Sequence, residues 1–259
     1  MSAIEKGEFM RKIKCTISYD GTCFYGFQVQ PNKRTVQSEI EKAIQQIHKG
    51  KQLRIYASGR TDTGVHAKGQ VFHFETNLDI PPENWKKALN AMLPADIYVH
   101  MAELVPIDFH AQFDAVEKEY RYFILNSTER DVFKRNYTYF YPYELDIERM
   151  KAACKHFEGT HDFTSFCSAR ATVKGSKVRT LYEVRCDKEG DEITIALRGN
   201  GFLYNMVRII AGVLLDAGSG RISLGDIDAM IRKKDRTAAG KTVPSSGLYL
   251  WKVMYEDDR

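Results

Sequence analysis

The sequence has no CxxC pair and no uninterrupted long apolar run, and each absence closes off a class of function. Its five cysteines (Cys15, Cys23, Cys154, Cys167 and Cys186) are odd in number and irregularly spaced, which argues against a disulfide framework and for a reducing compartment. The longest apolar stretch, Phe202 to Leu215, is broken by Asn205 and Arg208, and the first nine residues are polar with no export core. The expectation is a cytoplasmic protein with no membrane partner. Cys154, His156, His161 and Cys167 can be drawn as a zinc set, but Cys154 and His156 stand too close in sequence for the usual ligand pair. A metal-dependent nuclease would need several clustered carboxylates, whereas the polar loop from Gly59 to Ala67 carries only Asp62, and no Ser, His, Asp order offers a convincing triad. No metal site is expected from these patterns.

What is present is the composition of a soluble globular protein: 259 residues, 43% hydrophobic and 28% charged. The net charge of +4 permits an anionic partner without demanding one. Lys12 to Tyr19 reads as a strand, Thr35 to Gly50 as a capped helix, and Leu53 to Ser58 and Gln70 to Glu75 as strands. Pro82 to Met92 follows as a helix and Asp96 to Val105 as a strand. The order β, α, β, β, α, β is that of the ferredoxin-like or split βαβ unit. The second half repeats the theme without the sequence: strand Tyr120 to Leu125, helix Ile147 to His156 and a hairpin of Thr180 to Asp187 with Glu192 to Arg198. Helices Phe202 to Ala217 and Leu224 to Lys233 and strand Leu248 to Tyr255 complete it. The expected fold class is α+β: two tandem ferredoxin-like (RRM-like) domains, residues 1–110 and 111–259. Each has an antiparallel sheet with helices on one face, and an active-site cleft lies between them.

Between the second and third expected strands lies Gly59-Arg60-Thr61-Asp62-Thr63-Gly64-Val65-His66-Ala67. Its glycines permit sharp turns, and the threonines beside Asp62 leave the carboxylate accessible. On this loop alone, a solvated connection in which Asp62 bonds its own backbone is the simpler reading. Arg208 shifts the balance. It is the only full charge from Gly199 to Leu215, in a helix apolar on most faces, where a guanidinium requires a partner such as a carboxylate or phosphate. Asp62 is the natural candidate; snorkelling to the surface is the alternative. From Phe163 to Tyr182 there is no acidic residue, while Arg170, Lys174, Lys177 and Arg179 alternate with small residues, the pattern of a basic arm that contacts phosphates. Arg198-Gly199-Asn200-Gly201-Phe202-Leu203 approaches the RNP1 pattern of RNA-recognition domains, with Asn200 and Asn205 where stacking aromatics belong. A tandem RNA-binding module without catalysis would need those aromatics, and it gives Asp62 no task.

Five segments together resemble the tRNA pseudouridine synthase A family. They are Tyr19-Asp20-Gly21-Thr22 through Gly26-Phe27-Gln28, the loop from Gly59 to Ala67, Lys118-Glu119-Tyr120-Arg121-Tyr122, Gly159-Thr160-His161-Asp162-Phe163, and Gly201 through Arg208. The resemblance implies a cofactor-free homodimer that converts uridine to pseudouridine at positions 38, 39 and 40 of the tRNA anticodon stem-loop. It implies that Asp62 is the catalytic aspartate, that Arg208 is its ion-pair partner, that Tyr120 packs on the target base and that Arg60 holds the displaced nucleotide. Phe202 falls in the motif that ends at Arg208 and is assigned to substrate binding. Val243-Pro244-Ser245-Ser246-Gly247-Leu248 departs from the Ala-Pro-Pro usual before Gly-Leu.

Overall fold

The computed structural model describes residues 10–168 and 175–256. Arg170 and Lys174 of the basic segment lie outside the described residues. In chain order the elements are β1 (Arg11–Tyr19), α1 (Val36–Ile47), β2 (Tyr56–Ala57), β3 (His66–Thr76), α2 (Pro82–Met92), β4 (Ile97–Val105), β5 (Glu117–Leu125), β6 (Tyr139–Phe140), α3 (Ile147–Lys155), β7 (Gly159–Asp162), β8 (Val178–Glu189), β9 (Glu192–Gly199), α4 (Met206–Gly218), α5 (Leu224–Lys233) and β10 (Leu248–Met254).

The helices start where local chemistry provides a partner for their free N–H groups. Thr35 and Ser38 close a capping box on α1, Asp146 caps α3, and Ser223 with Asp226 does the same for α5. Pro82 opens α2, where its missing N–H costs nothing. The strand from Leu53 to Ser58 shrinks to Tyr56–Ala57, whereas β3 begins earlier than expected and takes in His66 and Ala67 from the end of the Asp62 loop. The two-residue β6 and the four-residue β7 carry too little alternation to stand out in sequence.

The strands form a single mixed, mostly antiparallel sheet in the order β4-β1-β3-β10-β5-β9-β8-β7, with β2 on β3 and β6 on β5. In the first half, β4, β1, β3 and β2 lie side by side, all antiparallel. In the second half, β10, β5, β9 and β8 repeat that pairing, also antiparallel. Strand β10 is the seam: it pairs antiparallel with β5 and runs parallel to the first residues of β3, Tyr249 opposite His66 and Leu250 opposite Ala67. The expected boundary after residue 110 falls in the segment between β4 and β5.

Burial alternates along β1, where Ile13, Cys15, Ile17 and Tyr19 all face the core. Trp85 of α2 is fully buried against Phe74 of β3 and His48 at the end of α1, which locks the first helix pair to the sheet. Helix α4 is buried on nearly every side, as its apolar sequence requires. Among the described residues no helix is long and apolar enough to cross a membrane.

Candidate active site

The Asp62 loop is held from behind by the segment that follows β1. Phe27 N–H donates to the Thr61 carbonyl at 3.0 Å, and Gly64 N–H donates to the Phe24 carbonyl at 3.3 Å. Gly26 has φ +84°, and a Cβ there would stand 2.8 Å from the Thr61 oxygen, so only glycine admits this contact. Gly21 has no spare room either, since a side chain would overlap the Val65 carbonyl. The first residues of the loop are pinned by a buried polar chain. Tyr19 shares a 2.7 Å hydrogen bond with Thr61, Ser58 donates to Gln70 at 2.6 Å, and the Gln70 amide donates to the Gly59 carbonyl at 2.9 Å. Gln70 is fully buried, so these bonds form away from water and keep one geometry.

The loop opens into a cleft of about 880 Å³ lined by residues of both halves of the chain. Asp62 reaches it from the first half; Tyr120 of β5 and Phe202, ahead of α4, reach it from the second. Arg208, one turn into α4, brings its Nη1 to 3.9 Å from Asp62 Oδ2. The two groups therefore meet, but the tighter hold on the guanidinium is elsewhere. Nε donates to the Val243 carbonyl at 2.7 Å, and Nη1 donates to the Asn205 side chain at 3.0 Å. Asn205 occupies the left-handed region (φ 62°), a conformation asparagine tolerates better than most residues, and so places its side-chain oxygen beside Arg208. The departure at Val243–Ser246 contributes mainly carbonyls to this corner: Val243 to Arg208, and Pro244 to the Tyr122 hydroxyl at 2.8 Å.

Burial raises the Asp62 carboxyl above the usual carboxylate range, and the Arg208 charge pulls it partly back. The Tyr120 phenol is raised, first by burial and then by Tyr19 and Asp62 nearby, so it keeps its proton. Its ring meets Phe202 edge-on, centroids 4.9 Å apart at 73°. Arg60 is exposed on the cleft wall.

Known proteins similar to this chain cover most of its length. A family model described as tRNA pseudouridine synthase matches residues 16–114 and 153–256. The chain is 59% identical over 249 residues to tRNA pseudouridine synthase A of Listeria monocytogenes, covering 95% of this chain and 100% of the relative. It is 56% identical over 247 residues to the protein of the same name from Bacillus subtilis (95% and 100% covered), and 55% identical over 249 residues to that of Oceanobacillus iheyensis (96% and 98%). The chain belongs to the tRNA pseudouridine synthase family. It is accordingly an isomerase that makes pseudouridine in tRNA.

The other described residues singled out in the sequence of this synthase, Arg179, Lys177, Asn200 and His66, do not line the cleft. Arg179 folds back on the Ser176 and Val178 carbonyls at 2.9 and 2.7 Å, and its charge is felt by Lys118 in the cleft. Lys177 is half-buried and is not part of the cleft lining. Asn200, where an RNA-recognition sheet would carry a stacking ring, accepts the Thr180 N–H at 3.0 Å. His66 faces away from Asp62: it is buried, its Nδ1 accepts from Gly21 N–H at 3.0 Å, and its Nε2 bonds the Asn136 carbonyl at 2.9 Å. Burial lowers its pKa, in keeping with a neutral ring in that arrangement.

Lys118 is a cleft residue to which the motif reading gave no task. Period 2 along β5 places it on the face that also carries Tyr120 and Tyr122, and that spacing was the available signal. Its Nζ donates to the Ser58 carbonyl at 2.6 Å at the start of the Asp62 loop. Burial, and then the Arg179 charge, bring its pKa from 10.5 down to about 8. Below pH 8 the lysine is charged in folded and unfolded chain alike. Between about pH 8 and 10.5 the folded protein sheds the proton that the unfolded chain retains, so stability rises with pH there. Lys118→Met removes that rise, which denaturant unfolding of both proteins at pH 7, 8, 9 and 10 measures; parallel curves would show that Lys118 is solvated.

Proposed function

We propose that this chain converts uridine to pseudouridine at positions 38, 39 and 40 of the tRNA anticodon stem-loop, as a cytoplasmic homodimer without a cofactor, with Asp62 as its catalytic carboxylate. The observation that carries the reading is the meeting of Asp62 and Arg208, from opposite halves of the chain, beside Tyr120 in a cleft large enough for a nucleotide. We also infer that residues 1–110 and 111–259 are two ferredoxin-like units. The repeated strand order in the halves and the match of the family model in two segments support that division.

The reaction breaks the bond from uracil N1 to ribose C1′, turns the base and joins C5 to C1′. The C5 proton leaves and N1 ends protonated, so no electrons are exchanged with another molecule. A carboxylate drawn out of water is a stronger nucleophile or base at the ribose than one in solution, and the Arg208 charge favours its ionised form. Tyr120 brings an apolar ring edge and a protonated hydroxyl to the target base. In this reading Phe202 supports that ring, and Arg60 helps hold the nucleotide displaced from its stack. Release of tritium from tRNA labelled at uracil C5 tests the proposal, and a tRNA that retains its label in the presence of this protein overturns it.

The basic segment is assigned to the RNA backbone. Replacing Arg170, Lys174, Lys177 and Arg179 with alanine is expected to weaken tRNA binding and flatten its salt dependence, with log Kd against log salt losing up to about 0.7 to 0.9 per phosphate contact removed. An unchanged slope returns the segment to ordinary solvent-facing loop.

A further inference from the structure

The turn between β4 and β5 carries an aromatic array that the reaction does not use. Phe113 is 75% exposed, and one face of its ring stacks on His110 with centroids 4.2 Å apart and planes at 26°. His110 in turn meets Tyr56 and His73, and Tyr56 stacks on His73 at 5.2 Å and 16°. The turn is braced. His110 N–H donates to Asp114 Oδ2 at 2.7 Å, Ala111 N–H donates to His73 Nδ1 at 3.1 Å, and the Ala111 carbonyl accepts from Tyr255 at 2.8 Å. With one face of Phe113 supported, the exposed area offers a flat surface fixed in advance.

This array adjoins the catalytic cleft, whose wall includes Tyr56, Arg54 and Gln112. The Arg54 guanidinium lies 5.5 Å from the centre of the Tyr56 ring, so a cation stands beside the aromatic surface. Gln112 and Asp114 on either side of Phe113 are exposed and polar. An exposed ring beside a cleft, joined through His110 and Tyr56 to a guanidinium, suits a nucleobase with a phosphate further along the same strand.

We propose that Phe113 is a stacking platform for an unpaired nucleobase flanking the target uridine, with Arg54 engaging a phosphate further along the strand. This rests on the reading of the cleft as an RNA site. Stacking by a π-face and contact by a cation leave different signatures, which makes the two parts separable.

The test uses the full chain and two RNA probes: a hairpin with an unpaired loop containing uridine, and a fully paired duplex of equal length. Phe113→Ala is expected to weaken hairpin binding about tenfold with an unchanged salt slope, and to affect duplex binding much less. Phe113→Trp is expected to retain affinity and to show indole fluorescence quenched by the hairpin beyond any change in the wild type. Phe113→Leu, with bulk but no π-face, is expected to behave as alanine does. Arg54→Ala is expected to lower the slope. Wild-type affinity for Phe113→Ala, or full rescue by leucine, overturns the platform. Pseudouridine formation by the wild type on the same hairpin is read in parallel: a quenched Phe113→Trp with an inactive wild type would sink the catalytic reading and leave the platform standing.

Discussion

Asp62→Asn is expected to abolish pseudouridine formation while leaving tRNA affinity within about tenfold of the wild type, because the lost group acts in the chemistry and backbone contacts carry most of the binding. The exchange keeps shape and removes only charge, so the loop braced by Tyr19, Thr61 and Gln70 retains its course. Stability should move the other way. The carboxyl is raised above its unfolded value, so its contribution is fully present below the unfolded pKa and is lost as pH rises through the folded one. At neutral pH the ionised, half-buried Asp62 is therefore a net cost, and asparagine removes it. Arg208 is not orphaned, since Val243 and Asn205 still hold it. The variant is expected to be at least as stable as the wild type at pH 7, with the difference vanishing at acid pH. Urea unfolding at pH 7 and pH 3 reads this directly, and a large loss at pH 7 would mean that Arg208 depends on Asp62 for its place.

Arg208→Met is the second large effect. It removes the charge that draws Asp62 toward ionisation, so the carboxyl rises further and the reactive form becomes scarce at neutral pH. It also frees the Val243 carbonyl and the Asn205 side chain, loosening the corner at the start of α4. Activity at pH 7 is expected to fall on the order of a hundredfold, about 2.7 kcal/mol of transition-state stabilisation. The pH profile separates the two causes. Recovery as pH rises identifies the loss with Asp62 protonation, and a uniformly depressed profile identifies it with displaced geometry.

Much of this architecture could be read from residue pattern, and the reasons differ by element. Helix α2, from Pro82 to Met92, and helix α5, from Leu224 to Lys233, carry both a periodic apolar face and clear start signals, and their bounds follow from those. Strand β2 could not be sized that way: Leu53 to Ser58 has strand composition, but only Tyr56 and Ala57 find partners on β3. Its length depends on a tertiary neighbour, which local propensity does not encode. The long apolar helix expected from Phe202 begins at Met206 because Asn205 turns left-handed, a choice made for the contact with Arg208. The parallel seam between β10 and β3 joins residues 183 positions apart, Tyr249 with His66, and leaves no local trace.

At the site, the lone arginine in an apolar helix was a sufficient signal that a partner was needed, and Asp62 does face it. What sequence did not reveal is that the guanidinium has two closer partners, one of them a backbone carbonyl that any residue at position 243 would supply. Lys118 passed unassigned for a related reason: its hydrogen-bond partner is the Ser58 carbonyl, and backbone acceptors are invisible in a string of side chains.

The central claim is that this cleft isomerises uridine in the anticodon stem-loop through Asp62. Chemical mapping of pseudouridine, base by base, in unmodified tRNA incubated with the wild type and with Asp62→Asn tests it most directly. With the wild type, pseudouridine is expected at positions 38, 39 and 40 wherever uridine stands there, and with the variant none is expected. Pseudouridine formed equally by both proteins, or a wild type that modifies only sites outside the anticodon stem-loop, would contradict it.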